Sequence, residues 1–398
     1  MGMALENQDL DMLYMNHNES CVREMKIIEQ PGLIIFSGFN QRAIIAFCRV
    51  LKKYNVNFYI IALSLDDEIF LSEYSKHVVG VRKHKKLNLT DMLKEIDNVL
   101  KISSNSRHFI LPSSEALNRF LLENRRDFEE KKCFISLVEK NLYYRLSDKY
   151  SFGELCKKFD ISVPNEIEVP KRYPVVIKPK RYETTDGDVI APLLIQEESE
   201  FVKFFNHHNR SDFYVQEYIS GDSYYLMYYI SKSHGSLSFS QQNLVQQGGG
   251  KSIIAASPAD IHNQQIGLKF LELFSSLNFH GLIMVEVRNS KDEYVMIEAN
   301  PRLWGPSQLF VDANVPFFEM YLKDLGFNIH IDDMKISNEV YYFWLGGFLN
   351  SMKEENITFH SIKEEDFLDD ISKFSSNDIY LRRDTFHIAL KELIKVGQ

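Results

Sequence analysis

Residues 281–302, GLIMVEVRNSKDEYVMIEANPR, hold two glutamates, an asparagine and an arginine at spacings fit for chemistry. The run reads as two strands about a turn over residues 289–293. Side chains alternate faces along a strand, so Met284, Glu286 and Arg288 share one face, and Met296, Glu298 and Asn300 share a face of the partner. A turn centred on Asp292 sets Glu286 directly opposite Glu298. Opposed like charges on a sheet destabilise it, and a cation between them resolves the conflict. With the Asn300 carbonyl added, the set is one of hard oxygen ligands suited to Mg²⁺ or Mn²⁺, ions that also take phosphate oxygens. The alternative is a solvated outer face, where glutamate is common. Two features favour the first reading. The carboxylates sit inside strongly apolar strands, and the run ends in Ala299-Asn300-Pro301-Arg302, which sets a permanent cation near the same place.

Further elements could serve such a centre. Pro174-Val175-Val176-Ile177-Lys178-Pro179 ends an apolar strand on a lysine that either snorkels to solvent or meets an anion. Ser147-Asp148-Lys149 offers a second lysine, and residues 215–222, VQEYISGD, read as a strand running into a glycine turn. Gly248-Gly249-Gly250-Lys251-Ser252 is not a Walker loop, because that pattern needs glycine where Val245 stands. It is either a mobile loop whose Lys251 closes over an anion in the substrate pocket or a solvent-exposed hairpin tip. The histidines form no HExxH or i, i+4 pair, so a zinc site is not expected. The basic run Arg82-Lys83-His84-Lys85-Lys86 reads as a solvated loop.

The elements that position these residues alternate in a readable way. Residues 32–38 and 58–63 are short apolar runs flanking a stretch over 40–54 with helical spacing and Asn40 as its N-cap. Strand, helix, strand in so few residues implies a parallel sheet. Residues 77–81, 88–101, 108–111 and 113–124 continue the alternation. The first turn, Ser37-Gly38-Phe39-Asn40-Gln41-Arg42, lacks GxGxxG, so this domain is expected to be structural or substrate-facing, not a dinucleotide site. Residues 139–160 read as helix. Beyond residue 161 come strands over 175–178, 213–217, 224–231, 282–288 and 294–300, with one helix near 260–277, an α+β texture built on antiparallel sheet.

Length and composition are consistent with this. A chain of 398 residues predicts two to four domains. Hydrophobic residues at 44% give ample core, and a net charge of −9 opposes a nucleic-acid partner. Apolar runs are too short for a membrane helix, and the polar start lacks a signal peptide. Cys21, Cys48, Cys133 and Cys156 are widely spaced, as in reduced cytoplasmic proteins. The aromatic patch over 341–344 reads as core or interface.

Taken in order, DK, VIKP, QEYISG and IEANPR resemble the ATP-grasp superfamily, and most of all its biotin carboxylase and carbamoyl-phosphate synthase branch. The likeness covers about residues 140–325 and implies a fold of mixed α/β and α+β class. A polar leader (1–30) would precede an N-terminal doubly wound pre-ATP-grasp domain (31–138). A small lobe with a leading helix (139–215) and a large lobe (216–330) would form a two-lobed ATP-grasp module, and residues 331–398 would be a C-terminal appendage. It implies that Lys149 and Lys178 contact ATP phosphates, and that Glu217, Tyr218 and Ile219 meet the adenine edge. Asp222 stands near where some relatives hold ribose with a glutamate. Glu286, Glu298 and Asn300 would bind Mg²⁺, and Arg302 would face the reacting acid. The lid after Lys178-Pro179 carries one glycine where relatives are glycine-rich. The implied function is a cytoplasmic carboxylate–amine ligase acting through an acyl phosphate on small-molecule substrates, as a monomer or homodimer. Carboxyphosphate chemistry and a non-catalytic nucleotide sensor are the other two readings.

Overall fold

The apolar run Gly32–Phe36 is buried along its whole length and forms β1, the centre of a parallel sheet. It is followed by α1 (Gln41–Lys53), β2 (Phe58–Ala62), β3 (Val78–Val81), α2 (Leu89–Ile102), β4 (His108–Ile110), α3 (Glu115–Glu123), α4 (Arg125–Glu130) and β5 (Cys133–Ile135). The strand order is β3-β2-β1-β4-β5, all parallel. Alternation splits β1 between two cores. Leu33 and Ile35 pack with Ala43, Ile44 and Phe47 of α1, while Ile34 and Phe36 pack with Met92 and Ile96 of α2 and Leu117 of α3. This is the doubly wound domain expected from the sequence. The structure is a computed structural model that describes residues 30–331 and 335–397. The expected polar leader therefore lies outside the described residues except for Gln30, as does Cys21.

The stretch expected to be one helix is two, α5 (Lys140–Ser147) and α6 (Lys149–Lys157), because Asp148 between them is extended. A three-stranded antiparallel sheet follows, built from β6 (Val175–Pro179), β7 (Leu193–Ile195) and β8 (Phe213–Glu217), in the order β7-β6-β8 with α7 (Glu198–His207) packed on it. The second half is an antiparallel sheet of β9 (Asp222–Ile230), β10 (Ser236–Gln247), β11 (Ile253–Ala259), β12 (Gly281–Ser290) and β13 (Glu293–Asn300), which forms one edge. Helix α8 (Gln265–Ser276) covers one face, together with α5 and α6. Tyr143, Leu146 and Phe152 pack there against Tyr228, Phe270 and Ile283. The leading helices thus belong to the core of the large sheet, not to the small lobe. On the other face lie α9 (Ser307–Asp312) and α10 (Phe317–Asp324), whose Phe310 and Phe318 meet Phe47 of α1 in one core.

The C-terminal segment is no appendage. Its β14 (Tyr342–Phe343) pairs with β11 and its β15 (Ile357–Phe359) pairs with β10, so it completes the large sheet. Helices α11 (Leu345–Lys353), α12 (Glu364–Asp369), α13 (Ile371–Ser375) and α14 (Phe386–Gly397) follow. Tyr342 and Phe343 are fully buried, as a core reading of the aromatic patch requires. Cys48, Cys133 and Cys156 are free and buried, and no helix among the described residues is long and apolar enough to cross a membrane.

The two sheets meet through a short linker ending in Gly221, which has φ +128° and whose added Cβ would stand 1.9 Å from the Asn289 carbonyl oxygen. Gly221→Ala must therefore displace backbone, a cost of about 1–3 kcal/mol. We expect its thermal midpoint to fall by roughly 3–6 °C. Gly187→Ala, with open space at an equally left-handed position, should cost less. Equal midpoints for the two variants in a thermal melt would refute the clash.

Candidate active site

The site is built on the β12–β13 hairpin. Its turn is two residues, Lys291 and Asp292, both left-handed with φ 54° and 65°. The ladder starts Ser290 opposite Glu293 and runs in phase to Val287 opposite Met296. Continued unbroken, it would set Glu286 against Ile297. A bulge takes up Ile297, and Glu286 instead faces Glu298. The opposition expected from the sequence is present, but through this bulge and not through a turn centred on Asp292. The shift corrects one expectation. Met296 does not share the face of Glu298 and Asn300; it packs with Val287 and Phe152 in the opposite core.

Each carboxylate has different company. Glu298 accepts from Lys149 Nζ at 2.8 Å and from Asn300 Nδ2 at 2.7 Å. Lys149 opens α6 right after the break at Asp148, and Asp148 is itself ion-paired to Arg119 of α3. Lys178 is only 5% exposed. It does not snorkel: its Nζ crosses from the small sheet to donate to the carbonyl of Ile297, the bulged residue, at 3.1 Å. Arg302 donates to Asn300 Oδ1 at 3.0 Å and to the Leu303 carbonyl at 2.9 Å. Arginine has only donors and a carboxylate only acceptors. The Asn300 amide therefore has one orientation that serves both neighbours, oxygen to Arg302 and nitrogen to Glu298. Glu286 has weaker partners, Ser223 Oγ at 3.3 Å and Arg288 at 3.7 Å.

Burial, reinforced by the charge of Glu298 against the pull of Arg288, raises the Glu286 carboxyl to about 7. Burial acts the same way on Glu298, but the Lys149 charge and the hydrogen bonds from Lys149 and Asn300 outweigh it and hold that carboxyl low. Burial, and then the Lys149 charge, push the Lys178 ammonium down to about 8. A carboxylate pair with one member short of cation is a site that gains from added positive charge. The donor set of Glu286, Glu298 and the Asn300 amide oxygen fits a hard divalent ion that keeps other oxygen ligands. Among the described residues no cluster of three His, Cys, Asp or Glu gathers anywhere.

The remaining candidates are placed as follows. Glu217, Tyr218 and Ile219 lead from β8 of the small sheet toward β9 of the large one. Glu217 accepts from the backbone and side chain of Asn165, and Tyr218 is 41% exposed. Asp222 opens β9 opposite Asn289. Lys251 lies at the exposed tip of the β10–β11 hairpin, which is tied to the C-terminal segment through Gly248 N–H to the Asn356 carbonyl. The structure therefore does not join Lys251 to the carboxylates. A cavity of 240 Å³ opens beside Lys149, lined also by Glu115, Asp148, Arg181, Tyr182 and Ile190. The Arg119 guanidinium lies over the rings of Tyr182, from the lid after β6, and of Tyr144, 4.4 Å from each centroid. A cavity of 480 Å³ lies elsewhere, beside Arg49 and Arg382, and both arginines are spent on aspartates. Sequence reasoning missed the buried relay Gln241–Asn243–Ser223 behind Glu286, with bonds of 2.7 and 2.9 Å. Its signal was the polar run SLSFSQQNLVQQ over residues 236–247.

No protein-family model matches the chain, and no curated protein matches it. Solved structures do. The biotin carboxylase domain of Hydrogenobacter thermophilus 2-oxoglutarate carboxylase, a domain dimer in complex with MgADP, ADP and bicarbonate, superposes with TM-score 0.57 at 12% identity over 79% of this chain and 73% of that one. Biotin carboxylase of Campylobacter jejuni gives 0.59 at 11% over 79% and 74%. N5-carboxyaminoimidazole ribonucleotide synthetase of Thermus thermophilus gives 0.54 at 12% over 75% and 79%. The chain has the fold these enzymes share, the ATP-grasp fold.

The two glutamates make a prediction about stability. A carboxyl whose folded pKa is raised binds its proton more tightly in the folded state, so its contribution to stability is lost as pH rises from the ordinary 4.5 through the folded value of about 7. In EDTA, Glu286→Gln should flatten the fall of the thermal midpoint over that range and raise the midpoint at about pH 8. An unchanged pH profile would show that the pair does not carry the strain.

Proposed function

We propose that the chain is an ATP- and Mg²⁺-dependent ligase that joins a small-molecule carboxylate to an amine. One observation carries the reading. A buried glutamate, Glu286, opposed to a half-buried one, Glu298, lies with an asparagine within reach of Lys149, Lys178 and Arg302, which arrive from three different elements. Phosphoryl transfer asks little covalent chemistry of a protein; it asks for charge neutralisation and in-line placement. Glu286, Glu298 and Asn300 would hold Mg²⁺, which supplies neutralisation of the phosphate oxygens. Lys149 would exchange Glu298 for a phosphate oxygen, and Lys178 would exchange the Ile297 carbonyl. Arg302 would release Asn300 and orient the acid. The acid oxygen attacks the γ-phosphorus, the β–γ bridging bond breaks, and ADP leaves with the electron pair. The amine then attacks the acyl phosphate and expels inorganic phosphate. The lid held by Tyr182 on Arg119 would keep water out. Glu217, Tyr218 and Ile219 would meet the adenine, and Asp222 the ribose. The bicarbonate in the 2-oxoglutarate carboxylase complex favours a second reading, in which bicarbonate is the acid phosphorylated.

The test is ADP and phosphate release from MgATP with pools of acids and amines, bicarbonate and ammonia included. Turnover that requires both an acid and an amine supports the ligase; turnover with bicarbonate alone supports the second reading. Glu298→Gln should lower turnover by about 10²-fold or more. ATP binding with no turnover from any pool would overturn both in favour of a sensor.

Lys178 adds a pH signature. Phosphate favours its ammonium form, whereas burial and Lys149 favour the neutral amine above about 8. MgADP binding should therefore weaken as pH rises past that value, by up to about tenfold per unit, and Lys178→Met should flatten the dependence. A flat wild-type profile over that range would remove Lys178 from the phosphate site.

A further inference from the structure

Arg82 departs from the solvated loop expected of its basic run. Lys83, His84, Lys85 and Lys86 are exposed, but Arg82 is 4% exposed. Its Nε, Nη1 and Nη2 are all buried and make no hydrogen bond. A guanidinium offers five N–H donors, and leaving them unmet inside a protein is costly. The nearby aspartates do not meet them. Asp67 is taken by Ser37 Oγ and by the backbone of Leu63 and Ile69, and Asp91 by the backbone of Lys83 and His84. They offset the charge of Arg82 and leave its donors unclaimed.

The side chain lies over the Phe39 ring, 4.9 Å from its centroid, in the turn from β1 to α1. That turn is at the carboxyl edge of the parallel sheet, beside the switch point between β1 and β4 where ligands of open α/β sheets collect. Other polar atoms at the same edge also lack partners, namely Gln41 Nε2 and the buried Ser113 hydroxyl. The thirteen-residue α1 starts there without a side-chain cap. Asn40, expected to cap it, is left-handed and sends its amide to the carbonyls of Ser113 and Leu303 instead. Of the first-turn N–H groups, that of Ala43 is taken by the Asn40 carbonyl at 3.1 Å, which leaves those of Gln41 and Arg42.

The geometry points to an oxyanion site at this edge, in which Arg82, Gln41 and the amino end of α1 hold a carboxylate or phosphate group of the acceptor substrate. The assignment to the acceptor rests on the ligase reading. The site borders the reaction centre, since Asn40 and Arg302 donate to the same Leu303 carbonyl, at 2.8 and 2.9 Å. A substrate anchored at Arg82 would carry its other end toward Arg302.

The test titrates ligand-free protein with inorganic phosphate and with malonate at constant ionic strength, by calorimetry. We expect saturable one-to-one binding of at least one. The stronger of the two distinguishes a phosphate-bearing from a carboxylate-bearing substrate. Arg82→Lys should weaken it about tenfold and Arg82→Met abolish it. Gln41→Ala, at a half-buried position, should weaken it several-fold with the thermal midpoint unchanged, and it decides the matter if Arg82→Met fails to fold. No binding by wild type, binding unaltered in Arg82→Lys and Gln41→Ala, or loss of binding in Lys178→Met alone would each overturn the site. MgADP binding, measured on the Arg82 and Gln41 variants, should be unchanged. Its absence from wild type would sink the ligase reading while the oxyanion site stood on its own titration.

Discussion

Two carboxylates face each other across a buried strand pair, and the architecture around them is organised to make that tolerable. Like charges opposed on a sheet repel, and burial removes the water that would screen them. No single element supplies the relief. Lys149 comes from the start of α6, Lys178 from the small sheet, Arg288 from β12 itself and Arg302 from just beyond β13. The small sheet touches the large one at this point through a lysine whose ammonium burial pulls down to about 8. The relief is also uneven. Glu298 collects Lys149 and Asn300, while Glu286 is left with a long contact to Arg288 and a hydroxyl. That asymmetry leaves the pair short of cation, unlike a finished ion-pair network, which would have satisfied both.

The bulge at Ile297 is the local device on which the pairing depends. A two-residue turn and an unbroken ladder would send Glu298 to the helix-covered face, because a one-residue slip moves every side chain to the other side. The extra residue restores Glu298 to the face of Glu286, while Met296, on the turn side of it, stays opposite Val287 in the core. It also leaves the Ile297 carbonyl out of the regular ladder, where Lys178 takes it up. One irregularity thus positions an acid and a base from two sheets. The edge position of β13 makes it possible, since no further strand must follow the kink.

The order of elements and the identity of the acidic pair were legible because they rest on periodicity and local spacing. β1, α1 and β2 are read from apolar runs that match the strand and helix periods. Glu286 and Glu298 are read from a hairpin whose partner strands adjoin in sequence. What was not legible depended on tertiary pairing. β10 is rich in serine, glutamine and asparagine, yet it is buried in mid-sheet because Ser223, Asn243 and Gln241 bond one another there. The segment after residue 335 joins the sheet through two strands of two and three residues, too short to show a period. The bulge and the burial of Arg82 are likewise set by neighbours distant in sequence, and a basic run gives no sign of which member turns inward.

The doubly wound domain is joined to the segment after β13 through backbone carbonyls more than through side-chain pairs. The carbonyl of Leu303 accepts from Asn40 and from Arg302, and the carbonyl of Pro301 lies 3.5 Å from Asn118 Nδ2. Carbonyls have two acceptor sites and do not titrate, so such contacts hold position across a wide pH range. They also fix the first turn of α1 relative to Arg302 more tightly than a pair of long charged side chains would, since little rotamer freedom intervenes. A domain joined this way has little independence at its carboxyl edge: moving the β1–α1 turn moves the strand end that carries Arg302.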